Sequence, residues 1–271
     1  MQQNLLTRRV SQIFLWVVLL PVLVPIYDKG GLKTYLIAGA LYWLLIGAAA
    51  WSVGGLKSGI AGRQGLLASA AMLIASWAVI SLALNMDTPP QGEAWLATRI
   101  DQQIRYIFIV TGGLLAFGGL AVLTSHLRRT EQGVLPVLAF AAAVISTVLF
   151  TLLFVAYPVC ATWRFEQEAR LGATLGWWPL FTALFSSIQT LEKLLFFVAV
   201  TMYAIALRNS GLIGKIGVAC LIGLTLLLAT VNTMVHVPPA APFILPYLIG
   251  LILLRRPASA HPALMGSQSL S

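Results

Sequence analysis

Apolar runs about twenty residues long recur along this chain with few polar interruptions. That feature decides its fold class, because about 20 such residues in a helix cross the ~30 Å of hydrocarbon in a bilayer. A transmembrane barrel is disfavoured, since its strands would be about ten residues long and alternate in polarity. Composition agrees: of 271 residues, 59% are hydrophobic and 9% charged, with a mean hydropathy of +0.90, whereas soluble domains carry about 25% charged residues. The expected fold is an all-α integral membrane protein.

Eight runs are long enough or nearly so: 12–28, 34–54, 65–86, 105–125, 135–157, 179–207, 212–236 and 240–254, the last short and set off by Pro238-Pro239. Charge tests the count independently. With the first residues in the cytoplasm, the inner segments hold ten basic residues, among them the pairs Arg8-Arg9, Arg128-Arg129 and Arg255-Arg256, and the outer segments six. Orientation follows the excess of Lys and Arg in short cytoplasmic loops, so a bundle of about eight transmembrane helices with both termini cytoplasmic is expected. Residues 1–256 form the bundle and 257–271, rich in Pro, Ala, Ser and Gly, a disordered cytoplasmic tail. The net charge of +9 belongs to topology and anionic headgroups, with no nucleic acid as partner.

Arg8 and Arg9 precede an apolar stretch without a small-residue cleavage site, which reads as an uncleaved first span, bent at Pro21 and Pro25. Small residues mark close helix packing: Gly47, Ala71 and Ala75, the doublets Gly112-Gly113 and Gly118-Gly119, Ala139 and Ala143, and Ala219 and Gly223. The outer loops 87–104 and 158–178 carry Trp95, Trp163 and Trp177-Trp178, and short amphipathic helices at headgroup depth are expected over 95–105 and 163–171. Cys160 and Cys220 fall near opposite faces, too far apart for a disulfide.

The exception to this apolar background is Glu192-Lys193, in the sixth span. A charge at the bilayer centre costs roughly 2.5–3.5 kcal/mol even on the most lenient scale, so the pair needs a reason to be there. Helical spacing extends its polar stripe outward through Gln189 and Ser186. The outer half of the seventh span offers Thr230, Asn232, Thr233 and His236, with Asn85 and Tyr157 ending the third and fifth spans. The expected ligand-binding set is therefore Glu192, Lys193, Gln189, Ser186, Asn232 and His236, forming an outward-facing polar pocket for a small polar solute, an ion or a proton.

Two other roles compete: a structural or scaffold subunit that works through a membrane-protein partner, with Glu192 and Lys193 as buried packing groups, and an intramembrane lipid-modifying enzyme using Glu192 or His236 as acid or base. No catalytic residue is assigned, because GxSxG, HExxH and Walker-type motifs are all missing from the sequence. No metal or other cofactor is expected. His126, His236 and His261 do not converge, which disfavours metal and bis-His haem, and no carboxylate on another span offers a counter-ion for a retinal Schiff base on Lys193.

From Glu192 to Arg256 the chain runs as a span ending in Leu207-Arg208-Asn209-Ser210-Gly211-Leu212, a basic Lys215, another span, and a Pro-flanked short span ending in a basic pair. This quarter resembles the carboxy-terminal part of an uncharacterised family of small bacterial multi-pass membrane proteins, a domain of unknown function. The resemblance implies a location in the bacterial cytoplasmic (inner) membrane and no known activity.

Overall fold

The computed structural model describes residues 2–18, 24–54, 63–86, 89–130, 133–234 and 241–255. Its described residues are helical almost throughout, without strands. In chain order the helices are α1 (Gln2–Val17), α2 (Val24–Gly54), α3 (Arg63–Leu84), α4 (Glu93–Ala97), α5 (Arg99–Thr130), α6 (Leu135–Leu171), α7 (Trp178–Asn209), α8 (Lys215–Met234) and α9 (Ile244–Arg255), the last preceded by a 3-10 turn, Ala241–Phe243.

Among the described residues six helices are long and apolar enough to cross a membrane: Gly31–Val53, Gln64–Leu84, Arg99–Arg129, Leu135–Leu171, Trp178–Asn209 and Lys215–Asn232. A seventh apolar helix, Ala241–Leu254, is shorter. The expected first span, 12–28, falls across the end of α1, an undescribed stretch and the start of α2, which Gly31 interrupts at φ 64°. Pro21 and the tail 257–271 lie outside the described residues.

A helix end leaves backbone carbonyls without partners, and no water reaches them inside hydrocarbon. α1 meets this demand with side chains from three other helices. Tyr247 of α9 donates its hydroxyl to the Leu15 carbonyl. Trp77 Nε1 of α3 donates to the Val18 carbonyl at 3.2 Å, and Tyr42 of α2 lies 3.4 Å from the same oxygen. Tyr42 is the midpoint of Gly31–Val53, so α1 stops at about mid-span depth.

The tightest packing is between α3 and α5, and glycine makes it possible. A Cβ on Gly112 would come within 2.3 Å of Ile80 and 2.9 Å of the Ser76 carbonyl, and one on Gly119 within 2.7 Å of Leu73. Ser69 Oγ donates to the Gly119 carbonyl at 2.8 Å across the same seam. On the other side of α5, Gly113 makes room for the Phe150 ring of α6. Gly47 and Gly223 meet nothing within 4 Å, and Ala71 and Ala219 are exposed, so these four do not serve the close packing expected of them. α9 is buried on nearly every side, with Leu245, Tyr247 and Ile249 at 0% exposure, and it packs chiefly on α3.

The segments 87–104 and 158–178, expected as outer loops, are more helical than expected. α6 continues through Pro158 as one helix to Leu171, where Gly172 at φ 65° caps it, so no separate interfacial helix forms over 163–171. A proline within a membrane helix is tolerated where neighbours re-satisfy the freed carbonyl. Over 95–105, α4 ends at Thr98 and α5 begins at once. Trp95 is 1% exposed and packs on Tyr106, Tyr157 and Phe165.

Candidate functional site

Glu192 and Lys193 lie near the centre of α7, about 21–26 Å from its two ends at 1.5 Å per residue. Successive helical residues point about 100° apart, so the two side chains enter different interfaces. Glu192 faces α6, where Ser146 Oγ donates to its Oε1 at 3.2 Å. Lys193 faces α8 and donates from Nζ to Asn232 Oδ1 at 2.8 Å. Both ionisable residues are 4% exposed and Ser146 is 1% exposed. Neither forms a salt bridge with a described residue; the one found is Arg164–Glu168, at 2.8 Å.

An aromatic cluster joins α6, α7 and the turn before α9, with Phe150 and Phe196 one turn along from Ser146 and Glu192. Phe243, in the 3-10 turn before α9, packs between Phe150 of α6 and Phe196 of α7, with ring centroids 5.1 and 5.3 Å away. Toward the start of α7, Phe185 packs on Phe154 and Tyr157 of α6, and Tyr157 on Trp178. The Arg164 guanidinium lies over the rings of Phe165 and Trp178, at 4.8 and 4.6 Å, and pairs with Glu168, whose Oε1 also accepts the Leu175 N–H at 3.1 Å. These contacts fix how the tops of α6 and α7 meet above the polar centre.

The expected set is brought together in part. Glu192, Lys193 and Asn232 share one cluster. Gln189 lies one turn nearer the start of α7, 9% exposed and with no hydrogen bond to a described residue, and Ser186 is half-buried another turn on. His236 and the side chain of Thr233 lie outside the described residues. Asn85 turns back on its own helix, its amide donating to the Ser81 carbonyl at 2.6 Å, and Thr230 is exposed. Tyr157 joins the aromatic stack described above.

Sequence reasoning missed Ser146. The available signal was span register: Ser146 is the midpoint of the expected span 135–157, as Lys193 is of 179–207, so its hydroxyl was due at the same depth as the ionisable pair. The described residues contain no group of three His, Cys, Asp or Glu able to hold a metal, and Cys160 and Cys220 are free. No family model matches the chain, and neither the curated proteins nor the solved structures compared with it give a match.

Proposed function

We propose that this chain is a multi-pass membrane protein of about eight spans, with both termini in the cytoplasm of a bacterium, that binds, senses or transports a small polar solute or ion at Glu192 and Lys193. The observation that carries this reading is the burial of two adjacent ionisable side chains, each 4% exposed, in separate helix interfaces, Glu192 against Ser146 of α6 and Lys193 against Asn232 of α8. Here a carboxyl with several acceptor sites meets one serine, and an amide and a hydroxyl, Gln189 and Ser186, continue the polar stripe outward. Polar groups so deep in a span mark solute, ion and proton pathways by default.

The test uses the full chain in detergent and in liposomes. Thermal stabilisation is read against a panel of small ions and polar solutes, and proton entry is read with a trapped pH dye. Glu192→Gln with Lys193→Met is the decisive variant, because removing both buried ionisable groups preserves a fold better than removing one. The reading requires that this variant fold and lose the response of the native chain. A folded variant with the native response overturns it, as does a native chain that responds to no member of the panel and passes no protons.

A scaffold role is the second reading, favoured by α8. Only 17% of its apolar window is buried inside the protein, leaving Leu226, Leu227, Val231 and Met234 exposed for lipid or a partner helix. A partner that co-purifies in stoichiometric amount and is lost on Leu227→Trp supports that reading.

A further inference from the structure

At the end of the bundle where α5 stops and α6 starts, a cleft of about 480 Å³ opens between the two helices, lined by Ala121, Thr124, Ser125, Arg128, Arg129 and Phe140. We propose that it binds the phosphate head group of an anionic phospholipid, one acyl chain following the apolar seam below. Three observations converge on that occupant. Arg128 and Arg129 are exposed and make no hydrogen bond or ion pair with a described residue, so among the described residues their charge is unanswered. Ser125, one turn below Arg128 on the same face, adds a hydroxyl at the level where a phosphate oxygen would lie. Beneath these groups the lining turns apolar: Phe117 and Phe140 stack with centroids 5.4 Å apart, and Leu114, one turn further along α5, is 49% exposed.

Helical spacing puts Arg128, Ser125, Ala121, Phe117 and Leu114 in one stripe, charged at the top, hydroxylated beneath and apolar below. A phospholipid has the same order of chemistry from phosphate through glycerol to acyl chain. Free phosphate matches only the top of the stripe. Two arginines at the end of α5 also suit its negative helix terminus and a topological role, but neither requires a cleft or the apolar seam beneath it. The site lies away from Glu192 and does not depend on the function proposed for that residue.

The experiment is native mass spectrometry of the full chain in mild detergent, titrated with phosphatidylglycerol and, separately, phosphatidylcholine. Phosphatidylglycerol is retained preferentially, and Arg128→Gln with Arg129→Gln weakens it by about fivefold for each arginine removed. The charge-conserving Arg128→Lys with Arg129→Lys keeps most of the binding. Both pairs alter exposed side chains, and unchanged melting in phosphatidylcholine alone verifies that the fold is intact. Equal retention of the two lipids overturns the proposal, as does undiminished phosphatidylglycerol binding by the glutamine variant. Displacement of the lipid by millimolar inorganic phosphate that by itself stabilises the chain assigns the cleft to a soluble anion and also overturns it.

Discussion

Ser146 supplies the only hydrogen bond that Glu192 makes to a described residue, and Asn232 holds the Lys193 ammonium. Ser146→Ala is expected to lower stability by about 1–3 kcal/mol, the cost of stranding a buried acceptor, and the unfolding midpoint in detergent reads it. Combined with Glu192→Gln the loss should be less than additive, because both changes act on one contact. Asn232→Ala should cost a similar amount, and Asn232→Leu at least as much, since the added bulk meets the ammonium without an acceptor. The pair's importance was readable in the sequence, where Glu192 and Lys193 interrupt an otherwise apolar span. Its partners were readable only in part: Asn232 stood out near the end of an apolar run, whereas Ser146 looks like any small hydroxyl in a membrane helix until the register of α6 on α7 is known.

The α3–α5 seam rests on a few missing Cβ atoms. Gly112→Ala should cost about 1–3 kcal/mol through overpacking against Ile80 and the Ser76 carbonyl. Gly47→Ala, which meets nothing within 4 Å, should be neutral or stabilising by about 0.5–1 kcal/mol. Parallel thermal melts compare the two. The sequence showed both as small residues in apolar runs and did not distinguish them, since composition is silent on which face of a helix meets a neighbour. The outer loops were misjudged for a related reason. Pro158 and the charges after it suggested a span ending near Tyr157, yet the Arg164–Glu168 pair and the rings of Phe165 and Trp178 carry α6 on to Leu171.

Across the whole bundle, the two cysteines report the topology. Cys160 sits far along α6, about 37 Å from its start at 1.5 Å per residue, while Cys220 is within two turns of the start of α8. In sealed right-side-out vesicles, a membrane-impermeant maleimide should therefore modify Cys160 of a Cys220→Ser variant and spare Cys220 of a Cys160→Ser variant, with the reverse pattern in inverted vesicles. The same pattern in both orientations would contradict the proposed arrangement of α6 and α8. Tyr247→Phe should cost about 1–3 kcal/mol by removing the side-chain donor to the Leu15 carbonyl, and Trp77→Phe less, because the Tyr42 hydroxyl still reaches the Val18 carbonyl. The Tyr247 contact also sets an order of events during biosynthesis. Leu15 leaves the ribosome 232 residues before the tyrosine that completes its hydrogen bonding. A nascent chain stalled before α9 would hold an open helix terminus inside the insertion machinery or the lipid, a ready signal for quality-control proteases to tell unfinished copies from finished ones.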